Sequence, residues 1–188
     1  MIEHVKTLAV NFWGGPGAGK STLAAGTFAE LKCRGYNCEL VFEYIKTWAW
    51  ESRVPSKYDE LYIFGQQVRR ESLLYGKVRV LLTDRPLAMS GFYAQHLGQP
   101  ELARAMKAAA DAHYNLMRGD GHRTMDIIVS RTGDYNPAGR YQDAAEARTL
   151  DKLMVEELPQ STPVLTKQQT KAAAYLIIRE LDRLGDKV

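Results

Sequence analysis

Short apolar runs alternate along the chain with longer segments in which apolar residues recur at helical spacing. Runs of the first kind are typical of buried strands, and segments of the second kind are typical of amphipathic helices. The predicted strands cover residues 8–12, 38–43, 77–83, 126–130 and 163–165. The predicted helices cover about residues 20–34, 56–75, 87–97, 100–117, 143–158 and 167–184. This alternation predicts right-handed crossovers and a parallel sheet with helices on both faces.

A glycine-rich segment joins the first predicted strand to the first predicted helix. It matches the pattern Gly-x-x-x-x-Gly-Lys-Ser, the phosphate-binding loop of enzymes that use nucleoside triphosphates. Strand, loop and helix follow one another in the order that this motif requires. The residues predicted to bind the nucleotide are Gly14, Gly15, Pro16, Gly17, Ala18, Gly19, Lys20, Ser21 and Thr22.

The residue types in this loop suit the binding of phosphate. Glycines allow the backbone to curl until successive N–H groups point at an anion, and the following helix adds the positive end of its dipole. We expect Lys20 to reach the β- and γ-phosphates and the hydroxyl of Ser21 to hold Mg²⁺. The expected ligands are therefore ATP and Mg²⁺, although no residue pattern distinguishes ATP from GTP.

These elements predict one α/β domain of the P-loop NTPase class that spans residues 1–188. We expect a parallel five-stranded sheet in the order 2-3-1-4-5, with helices on both faces and a lid over about residues 131–148. No linker, internal repeat or low-complexity tract divides the chain.

Polar side chains follow directly after the predicted strands. Glu43 ends the second strand, Asp84 and Arg85 follow the third, and Arg131 follows the fourth. Ligands of such sheets bind at the carboxyl ends of the strands, so these side chains are expected to converge beside the glycine-rich loop.

Each of these side chains has a chemical role and an ordinary structural alternative. Asp84 could hold the hydration shell of Mg²⁺ or take a proton from an acceptor hydroxyl, or it could cap the next helix. Arg85 could clamp a phosphoryl group or form a surface ion pair. Glu43 could act on the acceptor hydroxyl or be a solvated strand end. We predict metal binding by Ser21 and Asp84, and catalytic roles for Lys20, Glu43, Asp84, Arg85, Arg131 and Arg140.

The polar segment from residue 131 to 141 has the composition of a lid. Gly133 and Gly139 offer hinges, and arginines stand near both ends, at Arg131 and Arg140. An arginine brought over the γ-phosphate neutralises charge that develops in the transition state, and a closed lid excludes water. The alternative is a plain surface connection.

Aromatic and amide side chains near Glu43 are weaker candidates for contact with an acceptor. Trp48 and Trp50 could stack on a base, although aromatic residues at such spacing are more often part of helix packing. Gln67 or Arg70 could contact a pyrimidine, although a polar helix face explains them as well.

Composition narrows the class of protein further. The hydrophobic fraction is 45% and the charged fraction 25%, and no apolar run could span a bilayer. The net charge of +3 permits a polyanionic partner without requiring one. Two cysteines are too few for a disulfide framework, and the N-terminus lacks the pattern of a signal peptide. We expect a cytoplasmic protein with no membrane partner.

Three features of the sequence resemble small phage P-loop kinases similar to thymidylate kinase. They are the glycine-rich loop, the pair Asp84-Arg85, and the lid sequence Tyr-Asn-Pro-x-Gly-Arg that ends at Arg140. Within this group the chain most resembles the 5-hydroxymethyl-deoxyuridine DNA kinases of phages with hypermodified thymidines, over about residues 8–158. Thymidylate kinases have an aromatic residue after Asp-Arg, whereas Pro86 stands here, which argues against binding of a mononucleotide phosphate.

The resemblance implies transfer of the ATP γ-phosphoryl group to a nucleotide hydroxyl. The implied acceptor is 5-hydroxymethyl-deoxyuridine in phage DNA, a modified pyrimidine, and the implied location is the host cytoplasm. Two alternatives stay open, namely a deoxynucleoside monophosphate kinase and a nucleotide-switched ATP-binding protein. We expect no AAA motor, since no second AAA signature or oligomer arginine finger is recognisable. The sequence leaves open whether the chain forms a homodimer.

Overall fold

A parallel sheet of five strands lies at the centre of the molecule. The computed structural model describes residues 5–136, 138 and 140–185. The strands are β1 (Leu8–Trp13), β2 (Cys38–Val41), β3 (Val80–Thr83), β4 (Arg123–Ser130) and β5 (Val164–Thr166). They lie in the order β2-β3-β1-β4-β5, and every neighbouring pair is parallel. The predicted α/β class and strand order are confirmed.

Helices cover both faces of this sheet. They are α1 (Lys20–Cys33), α2 (Lys46–Trp50), α3 (Glu60–Ser72), α4 (Met89–His96), α5 (Pro100–Gly119), α6 (Ala144–Glu157) and α7 (Thr170–Arg183). Each helix predicted from the sequence is present, with ends that shift by a few residues. The sequence analysis predicts no helix at α2, because its 5 residues are too few for a recognisable helical period.

The fourth strand is longer than predicted because polar residues occupy its first half. It begins at Arg123, whereas the predicted strand begins at Asp126. Asp126 fits within the sheet because its Oδ1 accepts hydrogen bonds from Nδ2 of Asn11 at 2.9 Å and from Nε1 of Trp13 at 2.8 Å. These two donors from β1 offset much of the desolvation cost of a half-buried carboxylate.

One face of the sheet packs against α1 and α7. Alternate residues of β1, namely Leu8, Val10 and Phe12, are buried in this part of the core. Leu23 of α1 and Ile177 of α7 pack against them. The period of two along β1 therefore places these three side chains under the two helices.

The opposite face packs against α4, α5 and α6. Ala9 of β1 and Leu81 of β3 contact a cluster that includes Tyr114 of α5. Trp13, at the end of β1, joins a second cluster that includes Leu150 of α6. Because both faces are covered, β1 and β3 are buried along their whole length, as parallel strands usually are.

The N-terminus of α6 is fixed by a capping box. The side chain of Asp143 accepts hydrogen bonds from the backbone N–H groups of Ala145 and Glu146, and the Glu146 carboxylate accepts one from the Asp143 N–H in return. A capping box satisfies backbone donors that a helix start otherwise leaves free. It sets the point at which the chain leaves the polar segment after β4 and enters a helix beside the glycine-rich loop.

Candidate functional site

The glycine-rich loop connects β1 to α1 with a backbone that only glycine adopts easily. Gly17 and Gly19 have φ angles of 77° and 103°, in the left-handed region that other residues rarely occupy. At Gly19 a side chain would also collide, since its Cβ would lie 2.6 Å from Cβ of Lys167. Glycine is therefore required for conformation and for space immediately before the first turn of α1.

Lys20 lies beneath this loop and is buried. Its ammonium donates hydrogen bonds to the carbonyl oxygens of Gly14 at 2.6 Å and Gly15 at 3.0 Å. Burial lowers the pKa of Lys20, and the nearby carboxylates of Glu43 and Asp84 act in the opposite direction. The positive charge is thus held by the curled backbone at the place where the loop can receive an anion.

Asp84 connects the phosphate loop to the end of β2. Its Oδ2 accepts a hydrogen bond from the Ser21 hydroxyl, and its Oδ1 accepts one from the backbone N–H of Glu43 at 2.7 Å. Burial and the charge of Glu43 raise the pKa of Asp84, while the bond from Ser21 and the charge of Lys20 lower it. A hydroxyl and a carboxylate oxygen in direct contact are ligands that Mg²⁺ accepts, so these two residues fit the predicted metal role.

A complete metal cage is absent from the described part of the chain, where no group of three or more His, Cys, Asp or Glu could hold an ion. Magnesium is commonly bound by one or two carboxylates together with substrate phosphates and water. The oxygens of Ser21 and Asp84 are suited to that kind of shared coordination.

Glu43 and Arg85 form an ion pair at the same edge of the sheet. Oε1 of Glu43 accepts a hydrogen bond from Nη1 of Arg85 at 2.5 Å. The guanidinium is buried and lies 4.9 Å from the ring centroid of Tyr93. Its Nη2 is 3.5 Å from the Ser90 hydroxyl, and its Nε is buried with no hydrogen-bond partner. Arg85 is therefore not the surface ion pair of the structural alternative, because it lies inside the molecule and orients Glu43.

Arg131 contacts the phosphate loop directly and also through Asp151, a residue that the sequence analysis did not identify. Its Nη2 donates to the carbonyl oxygen of Pro16 at 2.8 Å, and its Nε donates to Oδ2 of Asp151 at 2.8 Å. Oδ1 of Asp151 accepts a hydrogen bond from the Gly15 N–H at 2.6 Å. Asp151 lies on α6 next to Leu150, which belongs to the buried face of this helix. A carboxylate beside the apolar face of a helix is the sequence feature that could have identified Asp151 as a candidate.

Arg140 has a different environment from Arg131. It is exposed, it donates a hydrogen bond to the carbonyl oxygen of Asn136, and its guanidinium lies 5.6 Å from the ring centroid of Tyr135. The Tyr135 hydroxyl donates to the Gln142 carbonyl oxygen at 2.5 Å, which links the two ends of the segment. The predicted lid residues Pro137 and Gly139, including the second hinge, lie outside the described residues.

The segment after Arg140 contacts the opposite side of the site. The Tyr141 hydroxyl donates a hydrogen bond to the backbone carbonyl oxygen of Arg53 at 2.8 Å. Arg53 follows α2, so this bond joins the predicted lid to the region after β2. The polar segment therefore contacts both the phosphate loop, through Arg131, and the residues after α2, through Tyr141, and its role as a lid stays a prediction.

A cleft of about 360 Å³ runs between the phosphate loop, α2, α4 and the segment around Arg140. Phosphate-loop residues line one end of it, among them Gly17, Lys20 and Ser21. Its walls also include Glu43, Ile45, Lys46, Ala49, Trp50, Val54, Pro55, Glu60, Arg85, Tyr93, His96, Leu97, Arg140 and Tyr141, and the part of the cleft that they form is called the acceptor end below.

The weaker sequence candidates lie in contrasting places. Trp48 is a buried residue of α2 that packs with Ile63, and its ring centroid lies 3.3 Å from the guanidinium carbon of Arg53, so it serves packing. Trp50 lines the cleft and is exposed. Gln67 is buried, and its amide donates to Oε1 of Glu71 and to the Thr83 hydroxyl, both at 3.1 Å.

Arg70 also lies away from the place that the sequence analysis considered for it. Its guanidinium lies 4.8 Å from the ring centroid of Tyr44, and it is half-buried. Neither Gln67 nor Arg70 is among the residues that line the described cleft. A polar helix face does not explain Gln67, which is buried within the core and hydrogen-bonded there.

Comparisons with known proteins agree with this architecture. A family model described as "AAA domain" matches residues 9–165. A search of curated proteins found no match to the chain. In the described part of the chain, no helix combines the length and apolar character needed to cross a membrane.

Two similar solved structures are of the APS kinase CysC from Mycobacterium tuberculosis. A mutant form is 16% identical with a TM-score of 0.50, and the match covers 95% of this chain and 99% of that chain. The complex with AMPPNP and APS is 18% identical with a TM-score of 0.51, and the match covers 94% and 98%. At this identity the similarity establishes the fold.

Proposed function

Because the chain belongs to the AAA domain family and carries a complete phosphate loop, we propose that it transfers the γ-phosphoryl group of ATP to a nucleotide hydroxyl. The observation that carries the proposal is a single cleft that is lined both by Lys20 and Ser21 of the phosphate loop and by the ion pair Glu43–Arg85. A phosphoryl donor and an acceptor placed in this cleft would meet beside Asp84. The fold shared with APS kinase CysC, solved with AMPPNP and APS, also supports phosphoryl transfer.

The phosphate loop binds and orients the donor in this proposal. Its N–H groups and the start of α1 surround the β-phosphate, and Lys20 exchanges the carbonyls of Gly14 and Gly15 for the β- and γ-phosphate oxygens. Ser21 and Asp84 would hold Mg²⁺, which when bound neutralises charge on the β- and γ-phosphates.

Glu43 acts on the acceptor. The acceptor oxygen forms a bond to the γ-phosphorus as the bond from that phosphorus to the β–γ bridging oxygen breaks, and ADP leaves. The acceptor proton passes to the Glu43 carboxylate, which Arg85 holds in one orientation. The Arg140 side chain, on the segment that crosses the cleft, neutralises charge on the transferring group while the segment excludes water.

DNA containing 5-hydroxymethyl-deoxyuridine is the proposed acceptor, as the resemblance implies. Exposed aromatic and basic side chains beside the acceptor end of the cleft support a polyanion that carries bases. They are Lys46, Trp50, Arg53, Lys57 and Tyr58. Aromatic rings stack on unpaired bases, and lysine or arginine contacts phosphates, so a DNA strand could lie across α2 while one base enters the cleft.

A free nucleotide is the second candidate acceptor. The volume of about 360 Å³ and the segment that crosses the cleft both suit a small ligand. The similar APS kinase CysC was solved in complex with AMPPNP and APS, which is consistent with this second candidate. The alternative that is not a kinase is a nucleotide-switched ATP-binding protein. The labelling assay described next distinguishes it from both kinase candidates.

The test offers γ-labelled ATP with a panel of acceptors at matched nucleotide concentration. The panel contains single-stranded DNA with 5-hydroxymethyl-deoxyuridine, the same DNA with thymidine, and the free monophosphates of both. We expect label on the 5-hydroxymethyl DNA, with activity that falls steeply as salt is added because phosphate contacts release counterions. Label on a free monophosphate alone would select the second candidate. Rapid phosphate release without acceptor, and no labelled product, would select the switch and refute the kinase.

A further inference from the structure

A buried carboxylate that no described residue satisfies lies at the acceptor end of the cleft. Glu60 is the first residue of α3, it is only 4% exposed, and it lines the cleft. Its Oε2 is fully buried and has no hydrogen-bond partner. Leaving a buried polar group unsatisfied costs about 1–3 kcal/mol, more for a charged group, so its position calls for an explanation.

The neighbouring arginine does not satisfy Glu60. Arg85 is near enough to favour the ionised form of Glu60, but its hydrogen bond goes to Glu43 at 2.5 Å. Burial raises the pKa of Glu60, and the charges of Asp59 and Glu43 act in the same direction. The group is thus a strong hydrogen-bond acceptor in a place where a donor is lacking.

A second buried carboxyl on α3 provides the contrast. Glu71 accepts hydrogen bonds from Gln67 at 3.1 Å and from the Tyr75 hydroxyl at 3.2 Å. The protein therefore supplies donors for the carboxylate that faces its interior. In the described part of the chain it supplies none for Oε2 of Glu60, whose side chain lines the cleft.

The walls beside Glu60 indicate the shape of the missing partner. Ile45, Ala49, Val54 and Leu97 are apolar, and Trp50 and Tyr93 are aromatic. Apolar and aromatic walls that include a buried carboxylate suit a flat ring that carries a hydrogen-bond donor.

We propose that Glu60 determines acceptor specificity by accepting a hydrogen bond from the imide N–H of a pyrimidine ring. This inference rests on the proposed function, since it assumes that the acceptor presents a base to the cleft. It assigns to Glu60 the reading of a base edge that the sequence analysis considered for Gln67. It also places the base, rather than a phosphate, against α3.

The experiment measures equilibrium binding by calorimetry without ATP, so that it is independent of phosphoryl transfer. The probes are the nucleoside 5-hydroxymethyl-2′-deoxyuridine and its N3-methyl derivative, which lacks the imide N–H. We expect the wild type to bind the parent nucleoside about 10-fold or more tightly than the methylated one, the range for a hydrogen bond to a charged group. Glu60→Leu should bind both probes equally weakly, and Glu51→Gln, an exposed carboxylate near the cleft, is the matched control.

Equal binding of the two probes by the wild type, or binding of neither, overturns the proposal. So does discrimination that persists in Glu60→Leu, since methylation would then act by bulk alone. Glu60→Gln is nearly isosteric and keeps a carbonyl acceptor, so it should retain most of the discrimination even if the leucine variant does not fold. Discrimination that depends on Glu60, in a protein that transfers no phosphoryl group, would support this inference and refute the proposed function.

Discussion

The phosphate end and the acceptor end of the cleft are built in different ways. The phosphate end consists of consecutive residues, from Gly14 to Thr22, and presents mainly backbone groups and one buried lysine. The acceptor end is assembled from the end of β2, from α2, α3 and α4, and from the segment around Arg140. A ligand shared by many enzymes can thus be held by one short motif, whereas a particular acceptor requires side chains from distant parts of the chain.

The two ends also differ in how their polar groups are satisfied. Lys20 has two carbonyl partners within the loop itself. Among the described residues, Oε2 of Glu60 and Nε of Arg85 at the acceptor end are buried without hydrogen-bond partners, and so is Nη1 of Arg131 beside the phosphate loop. The difference lies in the kind of group, since an unpartnered carboxylate oxygen is found at the acceptor end, where buried polar groups usually have partners.

The largest effect is expected at the phosphate end, from Lys20→Ala. Removal of the ammonium from the β- and γ-phosphates should lower phosphoryl transfer by about 10³-fold or more while the fold survives. Steady-state kinetics with γ-labelled ATP measure the effect, and circular dichroism checks the fold. Lys32→Ala, which changes an exposed lysine of α1, serves as the control. Near-normal turnover in Lys20→Ala would contradict the kinase proposal as a whole.

The lid arginines should show the next largest effect. We expect Arg140→Ala and Arg131→Ala to lower kcat, by up to about 10³-fold, much more than they weaken ATP binding, because lid arginines meet charge that develops late. Arg131 also holds Pro16 and Asp151, so its variant should in addition weaken ATP binding more than the Arg140 variant does. Comparison of kcat with the dissociation constant of ATP provides the test. If both variants changed only the affinity for ATP, the segment would help to bind ATP without stabilising the transition state.

Asp84 and Glu43 lie where the two ends of the cleft meet, and substitutions of the two residues should distinguish a role in metal binding from a role at the acceptor. Asp84→Asn should impair both the dependence on Mg²⁺ and the rate, by about 10²-fold. Glu43→Gln should reduce the rate by a similar factor and leave binding of ATP with Mg²⁺ nearly intact, since Glu43 acts on the acceptor. Titration with Mg²⁺ and ATP, read by fluorescence, distinguishes the two patterns. Loss of nucleotide binding in Glu43→Gln would refute this division of labour.

The smallest effect on activity is expected from Glu71→Gln. Glu71 is a buried residue of α3 that is not among the residues lining the described cleft. Burial raises the pKa of Glu71 from 4.5 to about 7, so the folded state binds a proton that the unfolded state releases between these values. Stability of the wild type should therefore fall as pH rises from about 4.5 to 7, by an amount on the order of 3 kcal/mol. Above pH 7 this contribution stays constant.

Urea unfolding across this pH range tests the role of Glu71. Glu71→Gln should lack the loss of stability between about pH 4.5 and 7 and keep its kcat. Glu101→Gln, which changes an exposed carboxylate on α5, should unfold as the wild type does at every pH. An unchanged pH profile in Glu71→Gln would show that other groups cause the dependence.

The sequence predicted most of the fold because its signals are local. Apolar runs and amphipathic segments located each strand and all helices except α2. The predicted start of β4 at Asp126 is wrong, because the strand begins at Arg123 and includes Asp126 within it. The donors that allow this carboxylate inside the sheet, Asn11 and Trp13, are more than a hundred residues away in sequence. A polar residue in a strand is predictable only when its partner is known.

The candidate site was predictable to the extent that topology alone determines it. A phosphate motif needs consecutive residues, and the carboxyl ends of parallel strands must meet at one edge, so Lys20, Glu43, Asp84 and Arg85 could be grouped from the sequence. Only the tertiary structure decided that Asp151 braces the loop and that Gln67 faces inward while Glu60 faces the cleft. The physical reason is that hydrogen-bond partners and cleft walls come from separate elements, whose packing the order of residues along one helix does not encode.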